Sequence, residues 1–425
     1  MTYQETLAFL YRQLPMYQRQ GKSAYKKDLT NTVLLLERLG NPHHTFRSIH
    51  IAGTNGKGSS AHALDAILRA AGYDVGLYTS PHLKSFTERI KINDQTISEQ
   101  LVIEFVDMLG RSIEEIQPSF FELTVAMAFW HFARQSVDIA VIETGLGGRL
   151  DSTNVIQPLV SLITMIGWDH ADMLGDTLGK IASEKAGIIK PGVPVVVGAH
   201  QPDLLPIFRE KAEMTGSPLI SRRDAYTWTS KEHQITNQVI DLKRDDQLLF
   251  GNLVVNNGAD YVLENLPGVL EVIERLGKSG FPVREGDIRE GLQTLTIPGR
   301  WQVIDTQPLT LADVSHNAPG LKSLMGQLTK EHRKKHIIFG IVKEKEIEDL
   351  LILLPTDAQY YWTQSSVPRS LPAVDLARTA GRLGREGTIY PMVSEALAAA
   401  KESATADDII LVCGSTFVVA EIPNL

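Results

Sequence analysis

A strand, a glycine-rich turn and a helix follow one another in the stretch IHIAGTNGKGSSA, residues 49–61. Its β-branched start predicts the end of a strand, and the apolar spacing over residues 59–70 predicts a helix. The glycines between them allow a tight turn with no side chains in the way. A helix that begins at such a turn presents backbone N–H groups and its positive dipole end to an anion, and Lys57 adds a positive charge. The stretch therefore predicts a phosphate-binding loop.

The loop departs from the common phosphate-loop pattern G-x-x-x-x-G-K-[ST]. Gly53 precedes Gly56 by only three residues, and Gly58 follows Lys57, so that the hydroxyl arrives at Ser59. A glycine-rich turn with an unrelated lysine is the alternative interpretation. The order of strand, loop and helix favours phosphate binding, because that mechanism requires this order.

Strand-like and helical patterns alternate along nearly the whole chain. Short apolar runs such as SIHIAG, VDIAVIETG and VPVVVG are separated by helical windows such as FFELTVAMAFWHFARQ. This alternation predicts an α/β fold with a mostly parallel sheet and helices on both faces. Ligands of such sheets bind beyond the carboxyl ends of the strands.

The sequence predicts two domains. Residues 1–296 form a phosphate-loop domain in which residues 221–256, with shorter and more polar alternating segments, predict a small antiparallel insertion. TIPGR, residues 296–300, reads as a linker, and we place the boundary near Ile297. A second α/β series, Rossmann-like in its alternation, occupies residues 297–425.

The composition excludes several classes of protein. Hydrophobic residues make up 43% and charged residues 22% of the 425 positions, as in ordinary globular domains. The net charge of −8 argues against nucleic acid or an acidic membrane as partner. Cys413 is the only cysteine, and the N-terminus lacks the pattern of a signal peptide. We therefore expect a cytoplasmic protein without a membrane span.

Three polar residues follow neighbouring strands of the predicted sheet. They are Ser80 in YTSPHL, Glu143 in VIETG and His170 in GWDH. A hydroxyl, a carboxylate and an imidazole beside phosphates suit Mg²⁺, which takes a few protein ligands together with phosphate oxygens and water. The alternative for Glu143 is a solvated or turn-capping acid, which the surrounding glycines disfavour. For His170 a packed or surface histidine remains an equal alternative.

Three further residues are ambiguous from their patterns alone. Lys185, near the end of a helix in SEKAGIIKPG, is not distinguishable from a solvated lysine. Arg300 suits a phosphate and Asp313 suits a ribose hydroxyl. A linker arginine and a helix cap, at Ser315 or Asn317, explain the same residues equally well.

Taken together, the motifs identify a family. GTNGKGS, YTSPHL followed by ERI, ETGLGGRLDSTN, GWDHADMLG, SEKAGIIK, PGR, DVSHN and CGSTF occur in the order found in the folate-linked Mur ligases. The chain resembles the dihydrofolate synthase/folylpolyglutamate synthase family from end to end, apart from the segment around residues 221–256. The resemblance also accounts for the unusual phosphate loop, which matches the Mur-ligase version.

The resemblance implies a reaction and its components. ATP converts a carboxylate to an acyl phosphate. The resemblance implies that ATP binds together with magnesium, as two ions. The α-amine of L-glutamate then attacks, phosphate leaves and an amide forms. The implied acceptors are dihydropteroate and the glutamates of folates, and family members are typically monomers. Arg149 and Asp151 in GLGGRLDSTN resemble the bifunctional members, so we expect both activities.

The resemblance also implies roles for individual residues. It implies phosphate binding by Gly56, Lys57, Gly58 and Ser59, ATP binding by Asn265, Arg300 and Asp313, and magnesium binding by Ser80, Glu143 and His170. It further implies pteridine binding by Phe121, Thr124 and Asp151, a carbamylated lysine at Lys185, a catalytic role for Lys57, and a histidine beside the nucleotide at His316.

The chain departs from the family pattern at some positions. Val262 stands where the family often has a glutamine before the ATP-binding asparagine, and DVSHN replaces DGAHN. Glu344-Lys345-Glu346 replaces the common Asp-Lys-Asp.

Three alternative functions follow from related patterns. A ligase acting on UDP-muramoyl peptides usually carries an extra N-terminal domain, for which a loop at Gly53 leaves no room. A kinase would not need the second nucleotide-binding domain. A non-enzymatic nucleotide-binding regulator would be expected to lose the metal ligands, which are retained here.

Overall fold

The computed structural model describes residues 1–15, 28–343, 347–423 and 425. These residues divide into two compact units. Unit 1 comprises Met1–Thr229, Ile240–Val254 and Glu264–Leu295, and unit 2 comprises Ser230–Val239, Val255–Leu263 and Thr296–Leu425. Among the described helices, none has both the length and the apolar character that a bilayer crossing requires.

Unit 1 contains an eight-stranded sheet with the order β4-β3-β2-β5-β1-β6-β7-β8. Neighbours from β2 to β8 run parallel, and β3 and β4 add an antiparallel edge. The strands are β1 Arg47–Ala52, β2 Val75–Tyr78, β3 Ile90–Ile92, β4 Gln95–Thr96, β5 Ile139–Glu143, β6 Val160–Ile163, β7 Val195–Val197 and β8 Leu219–Ile220.

Of the described α-helices, two precede β1, and others connect the strands, as parallel pairing requires. They are α1 Tyr3–Gln13, α2 Thr30–Arg38, α3 Lys57–Ala70, α4 Glu99–Ile116, α5 Phe120–Arg134, α6 Ala171–Leu174, α7 Leu178–Lys185 and α8 Leu205–Thr215. One apolar cluster packs α4 and α5 with Tyr78 and Ile142 of the sheet. Another packs α7 and α8 with Ile163 and Val195. Burial on these apolar faces is what stabilises the helices in place.

A three-stranded sheet, with the order β11-β10-β9, lies in the segment predicted as an insertion. Its strands are β9 Tyr226–His233, β10 Gln238–Arg244 and β11 Gln247–Val255. Connections this short join only antiparallel neighbours. Asp245 and Asp246, between β10 and β11, both have positive φ, which is the backbone of a type I′ hairpin turn. Helices α9 Asp260–Lys278 and α10 Glu285–Gln293 follow.

Unit 2 contains a six-stranded sheet with the order β12-β13-β17-β14-β15-β16. All neighbours run parallel except β12, which pairs antiparallel with β13. Its elements are β12 Gln302–Thr306, β13 Leu309–Asp313, α11 Ala318–Leu328, β14 Lys335–Phe339, α12 Ile347–Ile352, β15 Ala358–Trp362, α13 Ala373–Arg382, β16 Gly387–Ile389, α14 Val393–Ser403, β17 Ile409–Cys413 and α15 Thr416–Ala420. The sheets confirm the predicted α/β class.

The close contact between α10 and α3 leads to a prediction about the stability of a Gly291 variant. A Cβ added at Gly291 would lie 2.5 Å from Cα and 2.6 Å from N of Ile67, so that backbone rather than a movable side chain blocks it. Gly291→Ala should therefore lower the free energy of unfolding by about 3 kcal/mol, the upper range for overpacking. Because α3 begins at the phosphate loop, ligand binding should weaken as well.

Gly286 provides the matched control on the same helix. A Cβ at Gly286 meets no atom within 4 Å, and the residue is exposed. Gly286→Ala should stabilise the helix by roughly 0.5–1 kcal/mol. Urea unfolding of both variants provides the measurement, and equal effects at the two positions would contradict the predicted backbone clash.

Candidate active site

The turn after β1 has the backbone of an anion-binding loop. Gly56 precedes α3 with φ 92° and ψ −11°, a conformation that residues with a side chain rarely adopt. The amide of Ser60 donates to the Gly56 carbonyl at 2.9 Å, so the helix begins directly at the turn. A Cβ at Gly56 would lie 2.3 Å from Oδ1 of Asn265. The structure thus brings Asn265, from α9, against the predicted phosphate loop.

Thr54 fixes the loop to the end of β6, a role that the sequence patterns did not indicate. Its amide donates to the Met165 carbonyl at 2.7 Å. Its hydroxyl donates to the Gly167 carbonyl at 3.1 Å and accepts from the Gly167 amide at 3.0 Å. The only sequence signal was its position inside GTNGKGS. These bonds hold two strand ends together at one edge of the sheet.

Lys57, Glu143 and Ser80 meet beside the loop. The Lys57 ammonium donates to the carbonyls of Gly53 at 3.1 Å and Thr54 at 3.2 Å, and lies 4.0 Å from Oε1 of Glu143. Oε2 of Glu143 accepts from the Ser80 amide at 3.2 Å. The carboxylate is nearly buried, with 6% of the side chain exposed. A charged lysine and a buried carboxylate at a helix N-terminus can bind a phosphate and its counter-cation.

Lys185 also reaches the phosphate loop. Its ammonium donates to the Gly53 carbonyl at 2.8 Å, and the residue is 4% exposed. Burial, and then the charge of Lys57, lower the pKa of Lys185 to about 7, although Asp169 and Asp151 oppose the shift. A substantial fraction of this amine is therefore neutral near neutral pH. The solvated lysine that the sequence left open is excluded for Lys185.

Glycines allow the segments around Lys185 to approach closely. A Cβ at Gly148 would lie 2.8 Å from the Glu184 carbonyl oxygen and 3.0 Å from Cα of Lys185. Arg149 donates from its backbone amide to the same carbonyl at 2.8 Å, and its guanidinium pairs with the Glu184 carboxylate at 2.9 Å. The glycine run of ETGLGGRLD therefore positions Lys185 against the loop.

His170 follows Asp169 at the start of α6. It has φ 50°, and Nε2 lies 3.5 Å from Oδ1 of Asp169. Within residues 1–15, 28–343 and 347–423, no group of three or more His, Cys, Asp or Glu side chains is arranged to hold a metal ion. A cation at Glu143 would thus need phosphate and water oxygens in addition to a few protein ligands, which is how magnesium is usually bound.

Two of the residues predicted for pteridine binding, Phe121 and Asp151, lie next to the end of β5. Ser119 caps α5 by accepting from the Glu122 amide. The Phe121 ring lies so close to Gly145 that a Cβ added at Gly145 would be 2.4 Å from the ring. The Thr124 hydroxyl donates to the Phe120 carbonyl at 2.7 Å within the helix.

Asp151 is buried and accepts several hydrogen bonds from its own loop. The amide of Leu146 donates to Oδ2 at 2.7 Å, and the Thr153 hydroxyl and amide donate to Oδ1 at 2.6 and 3.0 Å. Burial raises the pKa of Asp151 while these hydrogen bonds oppose the shift. In this structure Asp151 fixes the loop that carries Leu146 close to Gly145.

In unit 2, Asp313 organises the residues predicted for nucleotide binding. It is fully buried at the end of β13 and accepts from the Tyr261 hydroxyl at 2.6 Å, the Trp301 amide at 2.9 Å and the Ser315 amide at 2.9 Å. Burial, and then the charge of Asp313, raise the pKa of Tyr261. Tyr261 was missed in the sequence, although it lies in the DYVLEN run that departs from the family.

The other two predicted residues of unit 2 are Arg300, which precedes β12, and His316, which follows β13. The amide of Arg300 donates to the Ile297 carbonyl at 3.2 Å, and its side chain is partly buried. Nδ1 of His316 lies 2.9 Å from the Val314 carbonyl and donates to it, because a carbonyl only accepts. Asn317 accepts from the Gly320 amide at 3.0 Å, so the helix-cap interpretation of Asn317 is confirmed. Residues 344–346 lie outside the described residues.

The pKa of Asp65, on the helix that begins at the phosphate loop, leads us to predict that stability depends on pH. Burial raises its pKa to about 6, while Arg69, 2.9 Å away, opposes the shift. At Asp65 the folded protein therefore binds more protons than the unfolded chain between about pH 4 and 6, so the contribution of Asp65 to stability falls as pH rises through this window. In Asp65→Asn this fall should shrink by about 3 kcal/mol.

Urea unfolding of the wild type and Asp65→Asn at pH 4, 5, 6 and 7 measures this difference. Asp65→Asn also weakens the contact with Arg69, so the slope with pH, rather than the absolute stability, is the readout. The same substitution at the exposed Asp107 is the control. Parallel curves for the wild type and Asp65→Asn would contradict the raised pKa.

Comparisons with known proteins agree along the whole chain. Residues 51–236 match the Mur ligase middle domain, and residues 299–416 match the Mur ligase glutamate ligase domain. The dihydrofolate synthase/folylpolyglutamate synthase of Bacillus subtilis (strain 168) is 30% identical over 99% of this chain and 98% of its own length. The folylpolyglutamate synthase of Lacticaseibacillus casei is 32% identical, with the same coverage.

Solved structures of relatives share the fold. E. coli FolC in complex with DHPP and ADP superposes with a TM-score of 0.86 at 29% identity, covering 99% of this chain and 96% of FolC. An FPGS complex with AMPPCP and folate gives a TM-score of 0.81 at 32% identity, covering 99% and 98%. With these matches over both units, the chain belongs to the dihydrofolate synthase/folylpolyglutamate synthase family of Mur ligases.

Proposed function

We propose that this enzyme is an ATP-dependent ligase that adds L-glutamate to a pteroyl carboxylate. Dihydropteroate would give dihydrofolate, and the γ-carboxylate of folates would give polyglutamates. The observation that carries the proposal is the convergence of Lys57, Glu143 and Lys185 on the phosphate loop. In the proposed reaction the carboxylate attacks the γ-phosphate of ATP, ADP leaves, and the amine of glutamate displaces phosphate from the acyl phosphate.

We assign the phosphates to the loop and the N-terminus of α3. Gly56, Gly58 and Ser59 would bind them through backbone N–H groups, and Lys57 would stabilise charge on the transferring phosphoryl group. Asn265 would contact the nucleotide, since its amide already packs against Gly56.

We also assign nucleotide binding to residues of unit 2. Arg300 supplies a cation, and His316 lies beside the nucleotide in this assignment. Asp313, which holds Tyr261 and the Trp301 amide, would orient this surface. We also propose two domains, residues 1–296 and 297–425. We propose that the enzyme is a monomer.

Magnesium fits the residues beside the loop. Glu143 is a buried carboxylate next to Ser80, and a Cβ at Gly58 would lie 3.8 Å from both of its oxygens, so the acid sits at the helix N-terminus. Glu143, with Ser80 and His170, would hold the metal, and Glu143 would serve two ions. Bound magnesium would neutralise part of the phosphate charge. Lys57 and the helix N-terminus supply the rest of the positive charge.

We assign the pteridine to the region of Phe121, Thr124 and Asp151. The Phe121 ring offers an aromatic face beside Gly145, and Asp151 fixes the neighbouring loop. ETGLGGRLDSTN, which contains Arg149 and Asp151, supports activity on both dihydropteroate and folates.

Phosphate release tests the proposal directly. The purified protein is supplied with ATP, magnesium and L-glutamate, and dihydropteroate or tetrahydrofolate is added in separate reactions. We expect both to stimulate phosphate release, with mass spectrometry showing one added glutamate. Stimulation by one alone would leave a single activity, and stimulation by neither would overturn the proposed function.

A further inference from the structure

The segment after Ser80 is held in place by charged residues whose role lies outside the assignments above. The Glu88 carboxylate accepts from the backbone amides of Leu83 at 2.7 Å, Lys84 at 3.0 Å and Ser85 at 2.7 Å. Charge-assisted bonds to three successive amides fix the path of the chain. His82 therefore stands on a rigid loop, two residues after Ser80.

Arg89 determines which nitrogen of His82 carries the proton. Its Nε–H donates to Nδ1 of His82 at 2.7 Å. A guanidinium has only donors, so Nδ1 must accept with its lone pair, and the ring proton lies on Nε2. Arg89 is itself fixed, because it is 2% exposed and its guanidinium lies 5.2 Å from the centre of the Phe120 ring.

The Nε2–H donor of His82 remains available to a ligand. The ring is partly exposed, and within the described part of the chain its one hydrogen bond is the bond to Arg89. Its ring packs edge-on against Phe86 at 6.4 Å, and Phe86 contacts Phe120 at 5.8 Å. Phe120 adjoins Phe121, the residue assigned to the pteridine. His82 therefore packs on an aromatic cluster that reaches the helix carrying Phe121.

We propose that Nε2–H of His82 donates a hydrogen bond to an uncharged oxygen or nitrogen acceptor of the aromatic acyl substrate, with Arg89 as the positioning residue that fixes the tautomer. The assignment rests on the proposed function. A neutral donor beside aromatic rings suits a planar heteroaromatic or carbonyl group. Phosphate groups are better served by Lys57 and the helix N-terminus.

Steady-state kinetics test the role of His82. His82→Phe keeps an aromatic ring but removes the donor, and should raise KM for dihydropteroate roughly five- to tenfold, the usual worth of one hydrogen bond. KM for ATP should not change. His82→Gln places an amide N–H near the position of Nε2 and should restore most of the affinity. The same substitution at the exposed His44, His44→Phe, is the control.

Nitrogen-15 NMR of histidine-labelled protein tests the tautomer separately. The resonances that His82→Phe removes should show a protonated Nε2 and an unprotonated Nδ1, and Arg89→Met should mix the two tautomers and raise KM for dihydropteroate. Thermal unfolding verifies that each variant is folded.

Each result decides between the two proposals. A proton on Nδ1, an unchanged KM in His82→Phe, or a His82→Gln variant as impaired as His82→Phe would overturn the assignment of His82 and leave the ligase function standing. A wild-type protein whose phosphate release neither dihydropteroate nor tetrahydrofolate stimulates would overturn the proposed function, and the assignment with it.

Discussion

Lys57→Met is expected to lower kcat for phosphate release by about 10³-fold, the upper range for removal of one group that stabilises transition-state charge. In the structure the ammonium is held against the loop by the carbonyls of Gly53 and Thr54. Preorganisation of this kind makes a positive charge effective, because no reorganisation is needed during the reaction. Phosphate release at saturating ATP and dihydropteroate measures the effect.

The fold should survive this substitution. Within the described residues, the Lys57 ammonium donates to two carbonyls of its own loop and lies 4.0 Å from Glu143, and Thr54 keeps the bonds to Met165 and Gly167 that fix the loop. Lys180→Met, at an exposed lysine of α7 that pairs with Asp176, removes the same charge and is the control. Near-normal turnover in Lys57→Met, with an intact thermal transition, would show that the loop does not act on the phosphoryl group.

Local patterns predicted the sheet and the position of the site. The apolar runs reveal strands such as Ile139–Glu143, and the strand-end rule then places Glu143 beside Lys57. Both steps use information within a few residues of each position. The predicted approach of Ser80 to Glu143 follows for the same reason, since β2 and β5 are adjacent in the sheet.

Local patterns could not predict contacts between residues that lie far apart in the sequence. The Tyr261 hydroxyl meets Asp313 although 52 positions separate them, and Thr54 meets Gly167 across 113 positions. No periodic pattern specifies which donor reaches which acceptor, because that choice depends on the packing of whole elements. Asp313 could therefore be selected as important while its partners remained unknown.

The pKa of Lys185 could not be predicted from local patterns either. As a sequence pattern it is an ordinary lysine near a helix end. Its altered pKa comes from burial and from Lys57, which lies 128 positions earlier in the chain and was brought close by folding. Only the resemblance to the family indicated a special role for this residue.

Lys185→Met is expected to lower kcat at least about 100-fold, because the site would lose a charged group in the water-excluded surroundings of the phosphate loop. Its low pKa supplies the neutral amine that can attack CO₂, lose a proton and form a carbamate. We propose this modification, which would put an anion where the Lys185 amine now donates to the Gly53 carbonyl. Carbon-13 NMR after incubation with ¹³CO₂ should show one carbamate in the wild type and none in Lys185→Met.

Two comparisons separate the carbamate from a plain positive charge. Lys185→Arg keeps a cation but cannot be carbamylated, so it should be as inactive as Lys185→Met. Lys185→Ala leaves space for a small carboxylate, and acetate or formate should restore part of its activity without affecting Lys57→Met. An active Lys185→Arg enzyme would instead assign the ammonium itself to the reaction. Its activity would then be independent of CO₂, because the charge at this position would need no modification to act on the phosphate loop.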